Sequence, residues 1–158
     1  MGGGSNRFRV TDWPESNVFV FALFLNYPWE LMQVPLFLGM RDTTHGTAIK
    51  VCTFATLADG GIMLLAYWGS ALLVQDRWWV ARPRGAPILT MIGIGVAITV
   101  LLEHWAIVSD WGWRYAENMP VVPILGVGLT PVFQWVILPP LIVWFVKRQL
   151  AGATLKDT

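Results

Sequence analysis

Three carboxylic acids stand in otherwise apolar stretches of this sequence, at Glu30, Asp59 and Glu103. None of these stretches contains a lysine or arginine that could pair with the acid. A charged carboxylate in hydrocarbon costs at least about 2.5 kcal/mol, so an acid in such a stretch is a functional-site hypothesis by default. A carboxyl group that keeps its proton there is a hydrogen-bond donor and a candidate general acid. We therefore predict that these three residues are catalytic and move a proton.

Amides and hydroxyls accompany the acids on the same helical faces. Asn26, Glu30 and Gln33 are spaced four and three residues apart, which places them on one face of a helix. The other apolar stretches carry similar polar stripes, formed by Cys52, Thr56 and Asp59, by Thr99 and Glu103, and by Thr130 and Gln134. Two interpretations stay open for the amides: they bind a substrate, or they only join helices through hydrogen bonds worth about 0.6 kcal/mol each.

Three tryptophans lie close to these polar residues in the sequence, at Trp29, Trp105 and Trp135. The π face of an aromatic ring attracts a cation, and a carbocation formed after proton transfer would be stabilised in the same way. We therefore predict a substrate-binding set that consists of Asn26, Trp29, Gln33, Trp105, Gln134 and Trp135.

The sequence does not favour metal, nucleotide or nucleic-acid chemistry. Cys52 is the single cysteine, which excludes an internal disulfide and a cysteine cage for a metal. His104 directly follows Glu103, so the two side chains point about 100° apart on a helix and cannot both face one metal ion. A site built from the three acids and one histidine is the remaining metal alternative. We predict no metal and no dedicated cofactor, with a bound lipid, carotenoid or quinone as the ligand class, and the net charge of +1 predicts no nucleic-acid partner.

Membrane helices must position these residues. The chain of 158 residues is 55% hydrophobic and 13% charged, whereas soluble domains carry about 25% charged residues. A helix that crosses a bilayer needs about 20 mostly apolar residues, and four segments meet this requirement: 18–38, 51–74, 88–108 and 121–146. We predict a single all-α domain over 1–158, an integral membrane four-helix bundle.

The fourth segment is interrupted by residues that break helices, namely Gly126, Gly128, Pro131, Pro139 and Pro140. Such breaks are tolerated in a membrane only where other helices or a cavity satisfy the freed backbone groups. We predict that proline and glycine kink the fourth helix, and a re-entrant segment over 121–134 is the alternative.

Lysines and arginines predict how the chain is oriented in the membrane. With four crossings, both termini and the second loop share one side, which holds eight of these cations against three on the other. The eight are Arg7, Arg9, Arg77, Arg82, Arg84, Lys147, Arg148 and Lys156, and the three are Arg41, Lys50 and Arg114. We predict that both termini are cytoplasmic, in a bacterial inner membrane. Tryptophans mark the two interfaces, with Trp13, Trp78 and Trp79 inside and Trp105, Trp111 and Trp113 outside.

The three acids also agree in depth. With a rise of about 1.5 Å per residue, Glu30 and Asp59 each lie about 12 Å from the outer end of their helix, and Glu103 about 8 Å. Because neighbouring helices run in opposite directions, this agreement does not follow from position in the chain. We expect an apolar-walled chamber in the outer half of the membrane on which the acids and amides converge.

The segment "NYPWE", Asn26 to Glu30, resembles the Asn-x-x-Trp-Glu motif of the integral-membrane terpene cyclases of meroterpenoid and indole-diterpene pathways. In that family a membrane glutamate is thought to protonate an epoxide or alkene and start cyclisation. The resemblance implies that Glu30 is the acid, with Asn26 and Trp29 beside it.

Residues 111–140, "WGWRYAENMPVVPILGVGLTPVFQWVILPP", are similar in layout to the carotenoid lycopene-cyclase domain. That family has an aromatic-rich outer turn and then a helix that opens with paired acids. Here the matching place reads "TPVFQ", Thr130 to Gln134, without the paired acids. The layout of the whole chain is also similar to that of small bacterial membrane proteins, which implies no particular activity.

Three functions follow from these patterns. The leading prediction is an enzyme or binding protein for isoprenoid or carotenoid lipids, with Glu30 as proton donor and Asp59 or Glu103 accepting or orienting the proton. The second is a non-catalytic accessory subunit of a larger photosynthetic or respiratory membrane complex, in which the tryptophans pack pigments, quinones or lipids. The third is a transporter or proton conductor, against which the apolar inner halves of the helices argue.

Overall fold

The structure is a computed structural model that describes residues 12–109 and 113–154, with side chains described as far as Gly152. Within those ranges it contains four α-helices and no β-strand, which confirms the predicted all-α class. The helices are α1 (Pro14–Gln33), α2 (His45–Val74), α3 (Gly85–Val108) and α4 (Leu129–Thr154). Four residues used in the prediction of orientation and interfaces, Arg7, Arg9, Trp111 and Lys156, lie outside the described residues.

Three of the described helices are long and apolar enough to cross a membrane. These are α2, α3 and α4, with mean hydropathies of 1.5, 2.2 and 1.8 over their most apolar windows, and they support a multi-pass membrane protein. The predicted first span lies in α1, which is not among the three. Its 20 residues include two acids, Glu15 and Glu30, and the amides Asn26 and Gln33, and these polar side chains lower its mean hydropathy.

The helices form a bundle in which each one packs on two neighbours. Helix α1 packs on α2 and α4, and α3 packs on the same two helices. The core between them includes Val18, Met63, Met91 and Ile142, all at most 1% exposed. Because α1 is inserted between α2 and α4, its polar face is brought against both.

Two close approaches between helices depend on glycine. A Cβ atom at Gly95 of α3 would lie 1.9 Å from Cε3 of Trp135 in α4. A Cβ atom at Gly60 of α2 would lie 2.9 Å from Cε2 of Phe19 in α1. Only a residue without a side chain fits at Gly95, and this space allows the Trp135 ring to enter the centre of the bundle.

Helix α4 begins at Leu129, whereas the predicted span began at residue 121. The preceding residues form a tight turn, in which the backbone N–H of Val122 donates to the carbonyl of Val127 at 2.8 Å. Gly126 has a φ of 66° in this turn, which is a left-handed conformation that favours glycine. The sequence Pro-Ile-Leu-Gly therefore encodes a turn, and Pro139 and Pro140 lie inside the helix that follows.

The boundaries of the first two helices also differ from the predicted spans. Helix α1 ends at Gln33 and continues as a 3-10 turn over Val34–Leu36, because Pro35 has no backbone N–H to continue the α-helical hydrogen bonds. Helix α2 begins at His45, before the predicted residue 51. The Thr44 side chain caps it by accepting a hydrogen bond from the backbone N–H of Thr47 at 3.3 Å.

One end of the bundle is closed by two connections that pair with each other. Backbone hydrogen bonds join Leu38 N–H to the Arg114 carbonyl at 2.8 Å and Ala116 N–H to the Leu36 carbonyl at 2.9 Å. The connection after α1 therefore lies against the connection after α3. This pairing covers the end of the bundle at which the polar residues of the helices converge.

The tryptophans predicted at the inner interface do not all face outward. Trp79 is buried and stacks on Tyr67, with ring centroids 5.9 Å apart. It is therefore a core residue, whereas Trp13 and Trp78 are exposed. Its position in the sequence directly after Trp78 concealed this difference, because neighbouring residues in a turn point in different directions.

Candidate functional site

A cavity of about 240 Å³ lies at the covered end of the bundle, between the four helices. Glu30 of α1, Asp59 of α2 and Glu103 of α3 all line it, together with Gln134 of α4. Most of the remaining wall is apolar, and it includes Val34, Phe37, Val51, Ala55, Ile62, Leu102 and Pro131. The structure thus brings the three predicted acids to one cavity.

Gln134 is the centre of the polar network beside this cavity. Its Nε2 lies 2.6 Å from Asn26 Oδ1, 2.8 Å from Asp59 Oδ2 and 3.4 Å from Glu30 Oε1. A second amide, Gln33, donates from Nε2 to Glu30 Oε1 at 2.7 Å. Three helices are therefore joined through one side chain that is itself buried.

The direction of these hydrogen bonds follows from the backbone of α1. Asn26 donates from Nδ2 to the carbonyl of Ala22 at 2.8 Å, so its Oδ1 must be the atom that faces Gln134. An amide oxygen only accepts, and Gln134 must therefore turn its NH₂ group toward Asn26 and the acids. The sequence places an amide donor, not a cation, between the two carboxyl groups.

The carboxyl groups of Glu30 and Asp59 meet at the same nitrogen, since Gln134 Nε2 lies 3.4 Å from Glu30 Oε1 and 2.8 Å from Asp59 Oδ2. Neighbouring carboxyl groups can bond to each other only when one of them carries a proton, because an ionised carboxylate can only accept. Two carboxyl groups this close act as a pair whose protonation belongs to both residues. Glu30 and Asp59 thus lie together at the wall of an apolar cavity, where one proton can be shared between them.

Glu103 is bound differently from this pair. Its Oε2 accepts hydrogen bonds from the Tyr115 hydroxyl and, at 3.2 Å, from Nε1 of Trp113. The Tyr115 oxygen in turn accepts from the backbone N–H of Gly128 at 2.8 Å. Burial and the hydrogen bond to Glu103 raise the pKa of Tyr115 above its usual range, so the hydroxyl remains a donor. Glu103 thereby attaches the connection between α3 and α4 to the cavity wall.

The predicted substrate-binding residues divide into two groups. The cavity is lined by Gln33, Gln134 and Trp135. Asn26 does not line the cavity, but its Oδ1 accepts a hydrogen bond from Gln134. Trp29 packs beside the apolar core and Trp105 is exposed, so the structure brings neither to the cavity. The stripe residues Cys52 and Thr99 do line it, whereas Thr130 is directed to Met119, with its Oγ1 at 3.6 Å from the sulfur.

Sequence reasoning missed Tyr115 and assigned Trp113 only to the membrane interface. Both act on Glu103 across a connection of irregular backbone, where no helical or strand periodicity relates them to their partner. The aromatic character of "WGWRY" is the only signal in the sequence, and it does not identify which acid the two residues contact.

No group of three or more histidine, cysteine, aspartate or glutamate residues in the described ranges is arranged to hold a metal ion. Nδ1 of His104 lies 2.9 Å from the carbonyl of Val100 on its own helix. The three acids at the cavity are instead hydrogen-bonded to amide and aromatic donors.

Comparison with protein-family models, with curated proteins and with solved structures gives no match for this chain. The resemblances at residues 26–30 and 111–140 therefore stay predictions.

Proposed function

We propose that this protein is a multi-pass membrane enzyme that binds one end of an isoprenoid or carotenoid lipid and transfers a proton to it from the Glu30–Asp59 pair. The observation that carries the proposal is the pair of carboxyl groups, Glu30 and Asp59, that meet at the Gln134 amide at the wall of an apolar cavity. Gln134 orients both carboxyl groups, and Glu103 serves to position the connection that covers them.

The size of the cavity favours a ligand of which only one end is enclosed. Its volume of about 240 Å³ is below the range of roughly 300–1,000 Å³ that is usual for pockets that enclose a whole small molecule. An end group of a linear isoprenoid fits this space, and the rest of its chain can lie along the apolar outer faces of the helices.

The chemistry requires only groups that the cavity contains. The pair gives its proton to one carbon of an alkene, a C–H bond forms as the π bond breaks, and the other carbon becomes a cation. Trp135 presents an aromatic ring to the cavity that would stabilise this charge. Attack of a second alkene on the cation, followed by loss of a proton to the carboxylate, returns the pair to its starting state and yields a cyclised isomer.

We also propose that α1 is the fourth crossing, that both termini are cytoplasmic, and that the protein lies in a bacterial inner membrane with lipids around it. The exposure of the α1 side chains supports α1 as a membrane-crossing helix. Its amides Asn26 and Gln33 are 0% and 6% exposed, whereas its Phe24 and Met32 are 72% and 69% exposed. A helix with polar residues inward and apolar residues outward suits a lipid surrounding.

Deuterium transfer tests the enzyme proposal. Purified protein in D₂O is incubated with a panel of linear isoprenoids, with and without hydroxyl groups, and the products are analysed by mass spectrometry. Because the carboxyl proton exchanges with solvent, we expect a cyclised product that carries deuterium on carbon. Glu30→Gln should abolish the product, since an amide cannot supply the proton. The same change at an exposed acid, Glu117→Gln, should preserve it.

The enzyme proposal is contradicted if no isoprenoid in the panel gives a deuterium-labelled product, or if Glu30→Gln and the wild type give equally labelled products. The second candidate, an accessory subunit of a photosynthetic or respiratory complex, would then lead. Exposed tryptophans on the outer faces of the helices, Trp68 and Trp144, favour it as contacts for pigments, quinones or neighbouring subunits. Co-purification with a large complex in fixed stoichiometry would support that candidate.

A further inference from the structure

Three buried side-chain atoms in the described part of the chain have no hydrogen-bond partner: Gln33 Oε1, Thr56 Oγ1 and Trp79 Nε1. Only one of the three residues, Gln33, lines the cavity. Buried polar groups in native proteins nearly always have a partner, and an exception calls for an explanation. The unpartnered oxygen of Gln33 lies in the same residue that donates to Glu30.

The contact with Glu30 determines which end of the Gln33 amide is unpaired. Nε2 donates to Glu30 Oε1 at 2.7 Å, so the remaining group is the carbonyl oxygen, which can only accept. Gln33 is 6% exposed, so this oxygen is shielded from the surface, while its residue lines the cavity. A hydrogen-bond donor that enters the cavity would satisfy it.

We propose that the lipid end group carries a hydroxyl, and that this hydroxyl donates its hydrogen to Gln33 Oε1. The inference rests on the proposed function and narrows its substrate class to isoprenoid alcohols. Among the groups that an isoprenoid commonly carries, the hydroxyl is small and can donate, whereas an alkene, an ether or an epoxide cannot. The apolar wall accommodates the hydrocarbon on either side of it.

This contact would also set the position of the reacting carbons. Gln33 binds Glu30 with its nitrogen and the hydroxyl with its oxygen, so one amide joins the ligand to the proton donor. The alkene nearest to the hydroxyl is then held beside the Glu30–Asp59 pair. Such positioning affects which double bond is protonated, and it leaves the source of the proton unchanged.

Binding of two matched ligands tests the inference. Farnesol and farnesyl methyl ether share the same chain and oxygen, but only the alcohol has a hydrogen to donate. Isothermal titration calorimetry in detergent micelles should show farnesol binding about tenfold more tightly than the ether to the wild type, since the ether leaves the buried oxygen unpaired. Gln33→Met keeps the length of the side chain and removes the acceptor. We expect the ratio of the two affinities to fall to about one, with the affinity for the ether unchanged.

The unchanged affinity for the ether shows that the Gln33→Met variant is folded, and Gln149→Met, the same change at an exposed position of α4, should keep the tenfold ratio. Equal binding of alcohol and ether by the wild type, or a preference that survives in Gln33→Met, overturns the inference and leaves lipid binding in place. Binding of neither ligand overturns the proposed function as well, so the two failures are distinguishable.

Discussion

Removal of the Gln134 side-chain amide should destabilise the bundle more than removal of an amide at its surface. In Gln134→Leu the apolar volume is kept, while Asn26 Oδ1 and Asp59 Oδ2 lose the donor that lies 2.6 and 2.8 Å from them. Asn26 stays buried between the helices, and Asp59 stays half-buried at the wall of the cavity. The loss therefore includes the cost of leaving them unpaired.

The magnitude follows from these two short contacts, since the third, to Glu30 at 3.4 Å, adds little. Hydrogen bonds between membrane helices contribute about 0.6 kcal/mol on average and up to about 1.7, so two of them give roughly 1–3 kcal/mol. For a chain of this length, each kcal/mol lowers Tm by about 2–4 °C. We expect Gln134→Leu to lower Tm by about 2–12 °C.

Thermal unfolding in detergent, followed by circular dichroism, measures the effect. Gln149→Leu, at an exposed position of the same helix, is the matched control and should leave Tm unchanged. A double-mutant cycle with Asn26→Leu separates the contact between the two amides from the loss of each side chain, because removal of the second partner should cost less once the first is absent. Equal Tm values for Gln134→Leu and the wild type would refute the argument that this network joins the helices.

Two further changes test how the cavity wall is built. Gly95→Ala adds a Cβ atom 1.9 Å from the Trp135 ring, so Tm should fall by an amount that reflects roughly 1–3 kcal/mol of overpacking. In the control Gly93→Ala the new Cβ atom meets no atom within 4 Å, so Tm should stay unchanged or rise. Equal changes in Tm for the two variants would contradict the close contact between Gly95 and Trp135. Tyr115→Phe removes the hydroxyl that donates to Glu103, so amide hydrogen exchange of residues 113–128 should become faster than in the wild type, while that of α1 and α2 is unchanged. If the exchange rates of residues 113–128 change no more than those of α1 and α2, this contact does not hold the connection in place.

The sequence predicted the parts of the site that depend on neighbours along the chain. Asn26, Glu30 and Gln33 share a face because a helix turns by about 100° per residue, and that rotation is independent of tertiary packing. The same rule accounts for the absence of Trp29 and Trp105 from the residues that line the cavity. Trp29 directly precedes Glu30, and Trp105 follows Glu103 by two residues, so each points well away from its acid.

The apolar lengths of α2, α3 and α4 and the all-α class were likewise determined by the sequence, since helix period and hydropathy are local properties of the chain. Only the tertiary structure decided that Gln134 reaches the acids of two other helices, that Glu30 and Asp59 line one cavity, and that Glu103 accepts hydrogen bonds from Tyr115 and Trp113. These contacts join residues far apart in the chain, and they depend on how the helices rotate about their axes and on close approaches such as that of Trp135 to Gly95. Periodicity places a side chain on a face of its own helix, but the packing of all four helices determines which other side chain it meets.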